Sequence, residues 1–336
     1  MKKLFIMILF FVAVLIPYTA IAGGTKTDTS CQTQNPIVLA HGIAMNDIPG
    51  YIEYFNKVAD RLRSKGATVY IAQVDKMAAT GTKAYQFANY LNTNVLPKHS
   101  KVNIIGHSHG GIYTRFAILN QSYTSPKYGT KTWSLPSTRI ASLTQIDSPN
   151  QGSPVADALL AVDYGTNSAL TTLINAAYTL GFGTLFGNEE SDVYGDSKAN
   201  GFDLSIDGAA SLYQSMGGNN GIPGVYCQSY THKMKQLLCL PVPQIGLIQL
   251  MALTMPVQCL AETIGYKGGP HQDSDGIVSV KSATWANYRG VDDGGWAQIA
   301  GIDHCNATGL PYGITGFFSA PDKFEAIVKD LKAKGL

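Results

Sequence analysis

The sequence has little charge and no excess of either sign. Only 14% of its residues are charged, and 25 basic side chains stand against 23 acidic ones. Proteins that bind nucleic acids or anionic surfaces electrostatically carry basic excesses or clusters, so this balance argues against a nucleic-acid partner. The 45% hydrophobic content fits a large core with additional apolar surface, and it equally fits a well-buried domain without such a surface.

About 18 consecutive apolar residues are needed to span a bilayer, and beyond the N-terminus the sequence has no apolar run of that length. The N-terminus itself has two lysines, an apolar run of roughly a dozen residues, and the small residues Ala20 and Ala22. This pattern predicts a cleaved signal peptide over residues 1–22 and a secreted mature chain. A retained N-terminal anchor is the alternative.

Linkers, low-complexity tracts and internal repeats are also missing, so residues 23–336 are expected to form a single domain. No C-x-x-C spacing of the kind that binds zinc occurs among the five cysteines. In an exported chain, cysteines are expected to form disulfides. Cys227, Cys239 and Cys259 could supply one bridge among themselves, and the odd total leaves at least one cysteine free or paired with another chain.

Strands and helices alternate through the first half of the chain. Short apolar or β-branched runs predict four strands, and helical spacing between them predicts the helices, the first from about residue 51 to 64. The predicted strands are 36–40, 68–74, 102–105 and 139–146, and the later helices are 82–96, 110–120 and 321–334. Such alternation predicts an α/β fold with a mostly parallel central sheet flanked by helices.

The third predicted strand runs directly into the motif Gly106-His107-Ser108-His109-Gly110. A G-x-S-x-G sequence between a strand and a helix is typical of the sharp turn that presents a nucleophilic serine. Ser108 is therefore the predicted nucleophile, and the free N–H of His109 is a predicted oxyanion donor. The alternative is a glycine-rich turn whose serine only caps the helix.

A second oxyanion donor is expected in the loop after the first strand. His41-Gly42-Ile43 stands there, and Gly42 allows the sharp turn that would aim the N–H of Ile43 at an acyl oxygen. His41 is interpreted as a structural residue that orients this loop. The alternative role for His41 is that of general base, which is disfavoured because His41 precedes the nucleophile in the chain.

In hydrolases of this kind the acid and the histidine follow the serine in that order. His304, in a loop before the final helix, is the predicted base, with His271 as the alternative. Asp275, in the turn Ser-Asp-Gly-Ile-Val, is the predicted acid. Asp147, at the end of a strand, is the geometric alternative to it. The remaining candidate acids are Asp273, Asp292, Asp293 and Asp303.

Several segments carry a family resemblance. P-I-V-L-A-H-G, G-H-S-H-G-G, D-S-P-N-Q-G-S, S-D-G-I-V and the Asp-His loop occur in order along most of the mature chain. Together they resemble the secreted true lipases of Pseudomonas and Burkholderia. The resemblance implies an α/β-hydrolase fold with a helical lid. It also implies triad roles for Ser108, Asp275 and His304, and oxyanion roles for Ile43 and His109.

The same resemblance implies a structural calcium ion and a periplasmic folding chaperone as a partner. The chemistry itself requires no cofactor. The family's calcium aspartate, two residues after the histidine, is replaced here by Asn306, and no aspartate occurs around Met255 where the second would stand. Calcium sites usually include two or more carboxylates, so these residues argue against the family's calcium site.

Two apolar segments, residues 153–187 and 236–264, are interpreted as lid or cap segments, with core helices as the alternative. The predicted activity is hydrolysis of lipid esters at an oil–water interface, as in a triacylglycerol lipase, through an acyl-enzyme on Ser108. A short-chain carboxylesterase or polyester depolymerase with the same triad is the alternative. A further alternative is a non-catalytic homologue that binds lipid or a protein partner.

Overall fold

The protein is seen here as a computed structural model that describes residues 28–43, 53–125, 129–163, 197–244, 249, 251–252, 254–310 and 314–336. The predicted signal peptide and most of the first predicted lid segment lie outside the described residues. Within the described part of the chain, no helix is both long and apolar enough to cross a membrane.

Six parallel strands form the central sheet, and the described strands and helices are named here in chain order. The sheet strands are β1 (Ile37–Ala40), β2 (Val69–Ala72), β3 (Val102–His107), β6 (Ile140–Ile146), β7 (Tyr226–His232) and β10 (Asn287–Asp292). Short hairpins use β4 (Ser122–Ser125) with β5 (Gly129–Thr132), β8 (Gln236–Leu237) with β9 (Leu240–Pro241), and β11 (Ile314–Thr315) with β12 (Phe318–Ser319).

The order of strands across the sheet is β10-β7-β6-β3-β1-β2, and every pairing in it is parallel. Parallel neighbours need crossover connections, which the helices between the strands provide. The predicted parallel α/β architecture is therefore confirmed.

The described residues form nine α-helices. They are α1 (Val58–Ser64), α2 (Thr80–Tyr90), α3 (His109–Leu119), α4 (Pro154–Asp163), α5 (Ser197–Leu204), α6 (Ile206–Ser215), α7 (Met255–Thr263), α8 (Val280–Ala283) and α9 (Ala320–Ala333). A π-helical segment, Leu91–Val95, continues α2.

Two hydrophobic cores lie on the two faces of the sheet. Because side chains alternate along a strand, Ile37 and Leu39 of β1 belong to one core, with α1 and α9, while Val38 and Ala40 belong to the other, with α2 and α3. The sheet is thus covered by helices on both faces. This explains why its central strands are apolar on both sides.

The four predicted strands are confirmed to within a few residues, but the first predicted helix begins later than expected. The described residues before Val58 form a turn, and Lys57 adopts a left-handed conformation that precludes a continuous helix. Strands β7 and β10 were not predicted. Strand β7 reads Tyr-Cys-Gln-Ser-Tyr-Thr-His, which has no hydrophobic pattern, because its buried polar side chains pair with neighbours instead.

A disulfide joins Cys239 to Cys259 and so connects the turn of the β8–β9 hairpin to α7. It is one of the bridges that the sequence allowed. Cys31, Cys227 and Cys305 are buried free thiols. The second predicted cap segment, residues 236–264, therefore contains a hairpin and a helix where it is described, and is not one continuous core helix.

Candidate active site

Ser108 occupies a strained turn between β3 and α3. Its φ of 57° and ψ of −132° are unusual for a residue with a side chain, and its N–H donates to the carbonyl of Ile146 on the neighbouring strand at 2.9 Å. The flanking glycines are required by close packing, because a Cβ on Gly106 would lie 2.6 Å from Gly110 and one on Gly110 would clash with the Ala40 carbonyl. The serine hydroxyl does not cap the helix.

Asp275 and His304 form a buried pair. His304 Nδ1 lies 2.6 Å from Asp275 Oδ2, and the His304 N–H donates to the Asp275 carbonyl at 2.9 Å. The other carboxylate oxygen accepts the N–H groups of Ile277 and Val278, at 3.0 and 2.7 Å. The aspartate is thereby fixed in a tight turn, and the imidazole is fixed against it with Nδ1 as the donor.

The charge of Asp275 determines how His304 titrates. Burial lowers the pKa of the His304 imidazole, but the nearby Asp275 carboxylate, helped by Asp147 and Asp303, outweighs burial, so the net pKa is raised. A raised pKa makes the ring a better proton acceptor. This is the property that a general base beside a serine needs.

The His304 ring lies next to the serine turn. Its centroid is 4.5 Å from the ring of His107, the residue that precedes Ser108. No hydrogen bond connects Ser108 Oγ to an imidazole within the described ranges. Nucleophile–base contacts are often loose before substrate binds, and they tighten only in the complex.

The loop of Gly42 and Ile43 lies against the serine. A Cβ added at Gly42 would lie 2.8 Å from Ser108 Cβ and 3.1 Å from Ser108 Oγ, so only glycine allows this approach. His109, the first residue of α3, has a backbone N–H in the first helical turn, where no helical carbonyl can accept it. Gly42, the residue before Ile43, thus lies against the nucleophile, and His109 follows the nucleophile in the chain.

His41 is built into this loop through both of its ring nitrogens. Nε2 accepts the N–H of Val74 at 3.2 Å, and Nδ1 lies 3.1 Å from the Gly42 carbonyl. Burial, together with the positive charge of Lys83, lowers the pKa of His41 to about 3, so the ring is neutral. A ring bonded on both sides to the backbone orients the loop, in line with the structural interpretation.

Asp147, the alternative acid, belongs to a second buried pair. Its carboxylate accepts from His232, at 2.6 Å from Nδ1 and 2.7 Å from the backbone N–H. Burial raises the pKa of this carboxyl, but the contact with His232 outweighs burial and the net pKa is lowered. Asp147 also lies 3.9 Å from His107 Nε2. In the structure, His304 is thus hydrogen-bonded to Asp275, and His232 is hydrogen-bonded to Asp147.

The remaining candidates are engaged elsewhere. For His271, the alternative base, Nε2 lies 2.6 Å from the carbonyl oxygen of Tyr266. Three of the candidate acids pair with lysines at 2.9–3.6 Å: Asp273 with Lys233, Asp292 with Lys323, and Asp293 with Lys235. Asp303 accepts two backbone N–H groups, those of Met251 and Asn306.

The residues around His304 do not fit the family's calcium site. Asn306 donates its backbone N–H to Asp303, and its side-chain amide donates to the carbonyl of Leu310 at 3.0 Å. Residues 249–256 contain no carboxylate, and the N–H of Met251 donates straight to Asp303 at 3.0 Å. One aspartate, Asp303, therefore directly connects the two segments that the family's calcium ion would bridge.

Sequence reasoning missed several buried polar residues around the site. Tyr54 Oη lies 2.6 Å from His107 Nδ1, and Lys83 on α2 is fully buried. The signal for Lys83 was present, because it shares a helix face with Phe87 and Leu91, four and eight residues later. A lysine on an apolar helix face is an exception that points to a buried partner.

Comparison with known proteins adds the family context. No family model matches the chain. A triacylglycerol lipase of Burkholderia plantarii is 29% identical over 163 residues, covering 47% of this chain and 41% of the relative. One of Vibrio cholerae is 33% identical over 132 residues, covering 39% and 38%. The chain thus aligns with less than half the length of the curated relatives it matches.

The structure of EstA from Clostridium botulinum superposes with a TM-score of 0.58, covering 90% of this chain and 87% of that one at 18% identity. The chain has the α/β-hydrolase fold. In this fold, ligands bind at the carboxyl ends of the parallel strands. Ser108 follows β3 and Asp147 follows β6 at that edge, in agreement with the expected fold.

Proposed function

We propose that this α/β-hydrolase cleaves carboxylic esters of lipids, with Ser108 as nucleophile, His304 as general base and Asp275 as its acid partner. The observation that carries the proposal is the buried 2.6 Å contact between His304 and Asp275, beside a serine in a strained strand–helix turn. The similarity to curated triacylglycerol lipases supports the same chemistry.

The proposed mechanism assigns one step to each of these residues. Ser108 Oγ attacks the ester carbonyl carbon while His304 Nε2 takes the hydroxyl proton, and Asp275 stabilises the imidazolium that forms. The N–H groups of Ile43 and His109 bind the oxyanion of the tetrahedral intermediate. His304 then returns its proton to the leaving alcohol. Water hydrolyses the acyl-enzyme by the same sequence of steps.

A lipid substrate is supported by apolar side chains exposed around the disulfide. Leu237, Leu238 and Leu240 of the β8–β9 hairpin are 71%, 88% and 62% exposed, and Ile264 after α7 is 64% exposed. Clustered apolar side chains in water are typical of surfaces that meet lipid. The proposal keeps lid or cap roles for the segments at 153–187 and 236–264, the first of which lies mostly outside the described residues. A short-chain carboxylesterase or a polyester depolymerase is the alternative.

Secretion through the segment at residues 1–22 is part of the proposal, since its pattern of lysines, apolar run and small residues is that of a signal peptide. A periplasmic folding chaperone is proposed on the family resemblance alone. Refolding the denatured mature chain without additions tests this partner. Recovery of full activity would remove the need for a chaperone.

Hydrolysis of p-nitrophenyl butyrate, p-nitrophenyl palmitate and emulsified trioleoylglycerol tests the function. We expect the wild type to cleave all three, and Ser108→Ala to lower kcat by at least about 10⁴-fold with an unchanged unfolding temperature. Activity confined to butyrate would replace the lipase by a short-chain esterase. Near-wild-type activity in Ser108→Ala would overturn the whole mechanism.

A further inference from the structure

The carbonyl of Gly42 lies in the same peptide unit as the N–H of Ile43, one of the two proposed oxyanion donors. A trans peptide is planar, and its C=O and N–H groups point in opposite directions. Whatever fixes the direction of the Gly42 carbonyl therefore also fixes the direction of the Ile43 N–H.

Two buried side chains meet this carbonyl. The first is His41, whose Nε2 accepts the Val74 N–H. Since a neutral imidazole has a single N–H, the proton must be on Nδ1, which therefore donates to the Gly42 carbonyl at 3.1 Å. The tautomer of His41 is thus set by a backbone group outside the site.

The second side chain is Lys83, in the first turn of α2, with none of its surface exposed. Its Nζ donates to the Gly42 carbonyl at 3.4 Å and to the Lys76 carbonyl at 3.1 Å. It also lies 5.9 Å from the centre of the Tyr113 ring. A buried ammonium group is costly, so its position under this loop calls for an explanation beyond packing.

Resting on the proposed ester hydrolysis, we infer that Lys83 is a positioning residue for the oxyanion hole. Together with His41 it holds the Gly42–Ile43 peptide with its carbonyl turned into the protein and its N–H turned toward Ser108. The donor is then aligned before the substrate arrives, so no reorganisation is needed when charge develops on the acyl oxygen. Lys83 does not touch the substrate itself.

The test replaces Lys83 with methionine, which has nearly the same length but donates no hydrogen bond. Loss of a whole oxyanion donor costs about 10²–10³-fold in kcat, so a misaligned one is expected to cost about 10–100-fold. KM is expected to change less than about twofold, because the ground-state carbonyl needs this donor less than the oxyanion does. Phenylboronic acid, which forms a tetrahedral adduct on the serine, should lose affinity by the same factor as kcat/KM.

Lys98→Met is the matched control, because Lys98 is exposed on the surface after the π-helical segment. It should keep wild-type kcat. Lys83→Gln, which retains a neutral donor, should lose less activity than Lys83→Met, and it carries the comparison if the methionine variant does not fold. Thermal unfolding is measured for each variant.

The outcomes separate this inference from the proposed function. A wild type without esterase activity would overturn both. An active wild type with Lys83→Met at wild-type kcat and wild-type boronate affinity would overturn only the positioning role. A parallel loss of kcat, substrate binding and thermal stability would also overturn it, since it would make Lys83 a purely structural residue.

Discussion

At the scale of residues, two aspartates and three histidines are buried close together, and hydrogen bonds determine which aspartate pairs with which histidine. Asp275 pairs with His304, Asp147 pairs with His232, and His107 lies between the two pairs. From sequence alone, Asp147 was a credible acid, because it ends a strand beside the nucleophile. The partner of each carboxylate is set by long-range packing, which the local sequence does not reveal.

The raised pKa of His304 has a consequence for the pH dependence of activity. The ring must be neutral to accept the Ser108 proton, so activity should rise with pH through this raised pKa. The acid limb of kcat/KM is therefore expected above the pKa of an ordinary histidine, about 6.5. A limb below that value in the wild type would contradict the assigned contacts.

Substituting each aspartate separates their roles. Asp275→Asn removes the hydrogen-bond acceptor of His304 and should lower kcat by about 10⁴-fold. Asp147→Asn removes a negative charge near His304 and weakens the pairing with His232 but leaves the His304–Asp275 contact in place. The pKa of His304 should therefore fall and the acid limb move to lower pH, while kcat at pH 8 stays within about tenfold of wild type. The pH profiles of both variants measure this. The reverse ranking would make Asp147 the acid.

At the scale of elements, the disulfide fastens a small hairpin to a helix. Cys239 and Cys259 are 20 residues apart, and closing a loop of this size stabilises a fold by about 3 kcal/mol in the chain-entropy account. We expect the Cys239→Ser/Cys259→Ser variant to lose about that much unfolding free energy in urea.

A reducing agent provides the matched comparison for the disulfide. Reduced wild type should unfold at the same urea concentration as the double variant, and the variant itself should not respond to reduction. Equal stability of oxidised wild type and the double variant would contradict the predicted contribution of the bridge.

The apolar strands and the G-x-S-x-G turn were predictable because their patterns are local. Strand β7 was not, because several of its buried side chains are polar and are paired by hydrogen bonds. Gln228 donates to Thr144 at 3.0 Å, and Ser229 donates to the Trp285 carbonyl at 2.7 Å. A buried strand with polar residues at its centre has no clear hydrophobic period, so its sequence resembles that of a loop until its neighbours are known.

At the scale of the whole molecule, the order of strands explains how distant segments meet. Parallel strands place their carboxyl ends at one edge of the sheet, where Ser108 follows β3, Asp147 follows β6 and His232 ends β7. Asp275 and His304 come from loops 29 residues apart that meet beside this edge. The alternation of strands and helices in the sequence predicts the parallel sheet. The order of serine, acid and histidine along the chain predicts which residues form the proposed triad.

The role of Lys83 could not be predicted in the same way. Its sequence signal is one lysine on an apolar helix face, and one of its partners is a backbone carbonyl 41 residues earlier in the chain. Backbone partners have no signature in the side-chain sequence, so only the folded chain reveals this contact.

The most direct test of the account is where a covalent serine-hydrolase probe attaches. After reaction with a p-nitrophenyl alkylphosphonate, intact mass should increase by a single phosphonyl group, and digestion should locate it on the peptide that contains Ser108. The Ser108→Ala variant should remain unlabelled. A wild type that is labelled at another residue, or not at all while it still hydrolyses esters, would contradict Ser108 as the nucleophile.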